Sequence, residues 1–599
     1  MNLAQLVSKP RNAYYALGII VLLYSFAALT NLGSRYSPQS GWAPAPDSSA
    51  VFAFDQVHAL KSVDVFHGLG TGSYRIDWSL DGLVWSTTSP EDAGSALTGI
   101  STVYMNDNRF HELRWYQTNV SVTTRYVRVQ PSDPNANLEM LEIAFVDTDG
   151  KRVKAPEATG ETLTNAFVRD DYLSGDSRRL FDEQRAWFPG RSWFHGMYFD
   201  EIYHARSAWE MIRGIDATEN THPPLGKIIM GFGVRVFGMN PFGYRIMGTL
   251  FGIFMLPFMF GLARRLTGNT VFGVLATLFF ALDFMHYTQT RIATIDTFAL
   301  LFILAAYYFM LRYLQTPSEG RFPTRDLMLS GLSIGLGIAS KWICLYAAAG
   351  LSILYLVDLF KRPPAFAGKS FLTSLLAFVA IPAVIYLLAY IPYVQSIDGR
   401  GLQAILDNQT GMYDYHKGIV DTHPYSSNWY EWPIMLKPIW YYSSGDSMGP
   451  DIYSSIQAFG NPVVWFLGIT AFLALPVLAW TRRNTLTEGT WQFKQSVWFV
   501  LAAALAQYLP WALIPRKLVF IYHFFATTPF LVLSLILLFK YLQDKKPGLE
   551  QRGALVWLPW GIAGLAAVFF GVFYPILGGI PVERGWIEFL RQIFWAVWM

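Results

Sequence analysis

Charge is scarce in this sequence, and cysteine is scarcer still. Only 15% of the 599 residues are Asp, Glu, Lys or Arg, against roughly 25% in soluble domains. Apolar residues make up 52%, and mean hydropathy is +0.27. This balance excludes a cytosolic enzyme, a disordered chain and a fibre, and it identifies a membrane protein. The single cysteine, Cys344, excludes an internal disulfide, so any part outside the membrane is held by packing alone. A basic block is missing as well. The 46 Lys and Arg stand against 43 Asp and Glu, a formal net charge of +3 spread along the chain, which argues against a nucleic-acid partner.

What the chain has is a series of apolar runs of the ~20-residue length that a bilayer requires. The first, 13–30, follows Lys9 and Arg11 and has no A-x-A cleavage site. It therefore reads as an uncleaved anchor with its N-terminus inside. A hydrophilic stretch, 32–240, comes next, and then runs at about 243–263, 270–287, 295–311, 371–393, 460–480, 494–514, 518–539 and 553–575. The run Leu327–Phe360 is interrupted only by the charges Lys341 and Asp358. As one helix it would be roughly 51 Å long, against a hydrocarbon core of about 30 Å. Arg312, Arg321 and Arg325 precede it and Lys361, Arg362 and Lys369 follow it. The positive-inside rule puts both flanks in the cytoplasm, so the run is expected to cross twice, turning near Ser340-Lys341-Trp342. The fold class is thus a polytopic α-helical membrane protein of about eleven transmembrane helices. Arg264 and Arg265, Arg482, Arg483 and Lys494, and Lys540, Lys545, Lys546 and Arg552 all fall inside on the same count. The expected order is 1–31 (inner end and first span), a first outer segment ending in juxtamembrane helices at 190–240, spans two to seven (241–393), a second outer segment (394–459), spans eight to eleven (460–575) and an outer tail (576–599).

Within the first outer segment, 48–152 reads as β-structure. YRIDWSLDGLVWST alternates around the turn Asp81-Gly82, and TTRYVRVQ and LEMLEIAFVD are further strand-like runs. Tyr74-Arg75-Ile76, Ser79 to Gly82, Trp85, Arg125 to Arg128 and Leu141-Glu142-Ile143 resemble the discoidin-like (galactose-binding-like) jelly roll, a β-sandwich. That resemblance implies a glycan, lipid or protein ligand for the insert. Trp85 and Tyr126 are read as core aromatics.

Two short helical segments after Tyr198 carry a denser chemistry. Asp200, Glu201 and His204 share one helical turn, and His222 precedes Pro223-Pro224, which suits the start of a helix at 225–237. A structural reading stands beside this one, with Asp200 as an N-cap and Glu201 as a dipole partner. A metal set of Glu201, His204 and His222 has weaker support, for there is no H-E-x-x-H, no second Glu-x-x-His and no cysteine cluster, so no metal or other cofactor is expected. Arg245, Arg291, Lys341, Arg516 and Lys517 all fall at outer span ends. Snorkelling explains any one of them, but five beside an acidic helix suggest a lipid phosphate held at the outer leaflet. The second outer segment adds His416, His423, Tyr425, Trp429, Trp432 and Trp440, which suit a sugar site and an interfacial aromatic belt equally well.

Asp200-Glu201, His222 to Lys227, Tyr244-Arg245-Ile246-Met247-Gly248, Ser340-Lys341-Trp342, His423-Pro424-Tyr425 before Pro438-Ile439-Trp440, and Arg516 through Tyr522-His523 to Pro529-Phe530 together resemble the protein O-mannosyltransferase family. The resemblance implies a C-type glycosyltransferase fold and an integral-membrane enzyme of the plasma (inner) membrane. Such an enzyme moves a sugar, usually mannose, from a polyprenyl-phosphate carrier to Ser or Thr hydroxyls of an acceptor protein on the extracytoplasmic side. The chain departs from eukaryotic members in two ways: 394–459 is too short for their β-trefoil domain, and the discoidin-like insert is not a general family feature. Both departures point to a prokaryotic-type relative and leave a lipid or polysaccharide acceptor open, as in a sibling enzyme moving aminoarabinose onto lipid A. A non-catalytic glycan receptor is the remaining alternative, and it leaves the acids and outer cations without a use.

A phosphate leaving group needs no general acid, so one carboxylate base suffices, where a glycoside hydrolase uses two carboxylates. Asp200 is expected to be that base, with Glu201 orienting sugar or acceptor and His222 shaping the site beside it. Arg245 and Lys341 are expected to hold the donor phosphate, with Arg516 and His523 in support. His204, Trp342, His416, His423 and Tyr425 are expected around the sugar or acceptor.

Overall fold

The computed structural model describes residues 10–594 except 46–47, 71–72, 87–102, 105–112, 133–137, 160–171, 320, 397–400, 482–485, 489–490, 515 and 545–551. Arg482, Arg483, Lys545 and Lys546, expected inside, lie outside the described residues. The chain divides into two compact units, one of residues 1–32, 198–236 and 244–599, the other of 33–197 and 237–243.

The first unit is helical. Seven helices among the described residues are long and apolar enough to cross a membrane: Arg11–Leu29, Pro241–Thr267, Asp296–Leu314, Pro364–Ser396, Pro462–Trp480, Phe493–Leu513 and Leu555–Gly578. Shorter apolar helices occupy the other runs, at Thr270–Ala281, Thr324–Ser340, Cys344–Leu359 and Thr528–Asp544. The long run 327–360 does break where charge interrupts it. Thr324–Ser340 ends at Lys341, whose backbone is extended (φ −159°, ψ 136°), and a new helix starts at Cys344. Helices approach closely where side chains vanish. A Cβ at Gly331 would lie 2.0 Å from the Ala377 carbonyl oxygen, so only glycine admits this crossing. One end of the bundle collects the cations expected inside. Arg265 donates to Gln315 (3.0 Å), Arg312 pairs with Asp326 (3.0 Å), and Arg362 donates to the Leu314 and Thr316 carbonyls.

The second unit is one eight-stranded sheet built on two long strands. β1 (Gly41–Trp42), β2 (Ala50–His67), β3 (Ser73–Ser79), β4 (Val103–Tyr104), β5 (Trp115–Pro131), β6 (Met140–Asp147) and β8 (Leu173–Ser174) run in the order β4-β3-β5-β2-β6-β1-β8, and β7 (Glu157–Ala158) pairs with β2. Register shifts in β2, between Ala53 and His58 and between Leu60 and Ser62, let it pair with β5, β6 and β7 along different parts of its length, as bulges that bend a strand do. β1 and the edge strand β8 lie outside 48–152, and β1 joins β8 to the sheet by pairing antiparallel with β6 and parallel with β8. Trp42, Phe52, Phe54, Tyr74, Ile76, Trp78, Val127, Val129 and Phe145 form the core. The Asp81-Gly82 turn is present: Gly82 has φ +77°, and the Asp81 carboxylate accepts from the Leu83 and Val84 amides. Trp85 and Tyr126 are not core residues. Both are half-buried, and the Trp85 ring lies under the Arg128 guanidinium at 4.6 Å. The inward positions of the alternation fall on Tyr74, Ile76 and Trp78, and Trp85 comes after the turn.

Candidate active site

The acidic motif lies at the start of the helix Glu201–Ile212, and its two carboxylates part company. Asp200 occupies the N-cap position but makes no side-chain cap bond, and its carboxylate has no hydrogen-bond partner among the described residues. Burial pushes the Asp200 carboxyl up to about 6; His204 and Lys341 oppose the rise, while Asp296 and Glu219 add to it. Phe199, just before it, is held at φ +49°. That conformation is costly for a bulky side chain, and ring contacts hold it there, with Tyr441 at 4.7 Å and His423, Phe520 and Tyr522 at 6.2–6.3 Å. The base candidate is therefore presented uncapped beside an aromatic patch.

Glu201 points the other way. It is fully buried and receives both Nε and Nη2 of Arg245 at 2.7 Å, the Ala293 amide at 3.0 Å and the Tyr198 amide at 3.2 Å. Arg245 is equally buried and also donates to the Leu32 carbonyl. The bidentate pair clasps four segments of chain. Neither residue lines the cavity described below: Glu201, expected to orient sugar or acceptor, and Arg245, expected to hold phosphate, are joined to each other as a clasp. A buried guanidinium must be paired, and the nearest acid answers that need.

A cavity of about 370 Å³ opens among His222, Lys341, Trp342, Tyr413, His416, Lys417, Trp511, Arg516 and His523. Of the five outer cations, Lys341 and Arg516 line it. Arg291 instead donates to the Thr30 and Asn31 carbonyls at the end of the first helix (2.9 and 2.7 Å), and Lys517 is exposed. Lys417, which the sequence reading passed over, joins the set. Lys341 pairs with Asp296 at 2.8 Å. His416 donates from Nε2 to the Thr221 carbonyl (2.9 Å) and receives Arg516 on Nδ1 (3.3 Å). Burial and Arg516 bring its pKa down to about 4, in keeping with a neutral ring. Trp342 lines the cavity and donates to the Tyr386 hydroxyl. His523 is buried, stacked on Tyr522 at 4.5 Å and on Trp432 at 5.9 Å.

His423 and Tyr425 do not line this cavity. They join the aromatic patch beside Phe199, where Tyr425 lies parallel to Trp440 with ring centroids 6.2 Å apart. His204 is buried behind His222, 3.5 Å from Glu219. Its ring, expected around the sugar or acceptor, faces a carboxylate and does not line the cavity. Glu201, His204 and His222 do not assemble as a three-ligand set, because Glu201 is turned to Arg245.

Glu219 and Asp296 were not anticipated. Glu219 receives His222 Nδ1 at 3.0 Å, the Thr221 amide at 2.8 Å and Lys227 at 2.5 Å. A signal for both was available: Lys227 and Lys341 each stand in apolar surroundings that demand a carboxylate partner.

Family models described as "Dolichyl-phosphate-mannose-protein mannosyltransferase" and "C-terminal four TMM region of protein-O-mannosyltransferase" match residues 190–397 and 402–596. A polyprenol-phosphate-mannose–protein mannosyltransferase of Mycolicibacterium smegmatis is 26% identical over 452 residues, which is 64% of this chain and 85% of the relative. One of Mycobacterium tuberculosis is 26% identical over 450 residues, 64% and 84% of the two chains. The fold is similar to that of the Saccharomyces cerevisiae protein O-mannosyltransferase Pmt1-Pmt2 complex bound to the sugar donor, with TM-score 0.58 and 13% identity over 66% of this chain and 88% of that one.

Proposed function

This chain belongs to the protein O-mannosyltransferase family, and from that premise we propose that it moves mannose from a polyprenyl phosphate to Ser or Thr hydroxyls of proteins, inverting the anomeric centre. The observation that carries this reading is the uncapped Asp200, its carboxyl raised to about 6, with a cavity lined by Lys341, Lys417 and Arg516 in the same helical unit. A base with a pKa near the working pH is ionised and still able to accept a proton. Asp200 takes the proton of the acceptor hydroxyl as its oxygen attacks the anomeric carbon. The bond from that carbon to the phosphate oxygen breaks, and its electron pair stays on the phosphate. Lys341, Arg516 and Lys417 stabilise the charge that grows there. Because side-chain cations meet that charge, no metal or other cofactor is invoked. The aromatic patch at Phe199, His423 and Tyr441 receives the acceptor.

The eleven-span count, an inner-membrane location and an outward-facing site belong to the same reading. Arg265, Arg312 and Arg362 gather at one end of the bundle, as the positive-inside rule requires of the cytoplasmic face. The discoidin-like reading of 48–152, with a glycan or lipid ligand, is also part of the proposal and is supported by the strand-rich second unit.

Membranes incubated with labelled polyprenyl phosphomannose test the reading. Label in protein supports it. Label in lipid A or other lipid points to the sibling enzyme, and no transfer at all to a receptor.

A further inference from the structure

The most heavily bonded carboxylate near the cavity is Glu219, which does not line it. The residue lies in the connection between the helices Glu201–Ile212 and Leu225–Phe237. Its amide donates to Ser207 Oγ at 3.0 Å, and its carboxylate is met by His222, Thr221, Lys227 and, at 3.5 Å, His204. Lys227 is fully buried and also donates to the Glu219 carbonyl. Burial opposes the charge on Glu219, but Lys227, His222 and His204 together hold its carboxyl well below the usual range. A carboxylate only accepts, so the proton between it and His222 sits on Nδ1. Burial keeps the His222 ring neutral, with a pKa brought down to about 3. Its other nitrogen, Nε2, has no hydrogen-bond partner among the described residues, and the ring lines the cavity.

We propose that Glu219 is a positioning residue that makes His222 a reader of the donor's sugar: by holding Nδ1–H, it leaves Nε2 as an obligate hydrogen-bond acceptor on the cavity wall. An unprotonated imidazole nitrogen accepts from a hydroxyl and repels an anionic phosphate oxygen. The cations Lys341 and Arg516 serve the phosphate, while the Glu219–His222 pair serves a hydroxyl of the sugar attached to it. This inference rests on the transfer reading above.

The test measures binding of two ligands, polyprenyl phosphomannose and bare polyprenyl phosphate, to the full-length protein in nanodiscs. Glu219→Gln lets its amide offer His222 either an oxygen or an NH2 group, so the tautomer is no longer fixed. It should weaken the mannosylated donor about tenfold and the bare carrier less than about twofold. Glu219→Asp, which keeps the charge, should recover most of the loss. His222→Asn keeps a group at the Nδ1 position and lacks Nε2; in that background Glu219→Gln should cost nothing more. Equal loss for both ligands, or a further loss in the His222→Asn background, overturns the inference. If Glu219→Gln fails to fold, His222→Asn alone must still discriminate between the ligands, and wild-type binding of both by that variant overturns the inference as well. Wild-type protein that binds neither ligand overturns the transfer reading itself.

Discussion

Replacing Glu201 by Gln separates a structural clasp from a sugar contact. In the wild type the carboxylate takes two guanidinium bonds at 2.7 Å and two backbone amides, and both partners are buried. Gln can keep one acceptor for Arg245 but presents an NH2 group to the other donors. The guanidinium is then left with an uncompensated charge in a fully buried site. Breaking a buried pair from one side costs about 3–5 kcal/mol. At the ~2 °C per kcal/mol of larger domains, this corresponds to a fall of roughly 6–10 °C in unfolding temperature. The protein carries its own reporter, since Cys344 is its single cysteine and is fully buried. A thiol-reactive dye therefore fluoresces only as the helical unit opens. Activity below the new unfolding temperature should fall only as far as Asp200 loses its fixed position. An unchanged unfolding temperature with transfer abolished would refute the clasp and return Glu201 to the chemistry.

Asp200→Asn should lower turnover by about 10²–10⁴-fold with donor affinity nearly intact, and retained turnover would remove Asp200 as the base. Because the carboxyl is raised to about 6 and acts ionised, kcat/KM should climb with pH through 6 and level off above it; a profile flat from pH 5 to 8 contradicts this. Lys341→Ala removes the partner of Asp296 and a cavity cation, so affinity for polyprenyl phosphate should drop, and unchanged affinity would take Lys341 out of the phosphate site. Transfer should survive EDTA, and a loss that manganese restores would bring a metal into the mechanism.

The helical scaffold was readable because bilayer length and cation placement are one-dimensional signals, and the break at Lys341 follows from them directly. The place of Asp200 at a helix start was readable as well, but that its carboxylate leaves the cap unmade was not. Which way Glu201 faced was not, because residues 200 and 201 are adjacent in sequence and only the position of Arg245 in space separates their roles. That Lys227 and Lys341 need partners was legible, but not that Glu219 and Asp296 are those partners, 8 residues away in one case and 45 in the other. The β-unit was legible in its strands but not in all of its core: the turn at Asp81-Gly82 could be placed, yet the strand ends at Ser79, so Trp78 is buried and Trp85, past the turn, is only half-buried.

Arg245 and Arg291 both reach the end of the first helix, and both bind it through main-chain oxygens, at Leu32 and at Thr30 and Asn31. Carbonyls are the same whatever side chain they carry. Residues 30–32 can therefore drift in sequence without unlocking the clasp beneath Asp200, while a shift of one residue in helix length cannot be tolerated so easily. During synthesis residues 30–32 are made before both arginines, which follow more than two hundred residues later. The contacts of both arginines are completed only when that segment is still at hand.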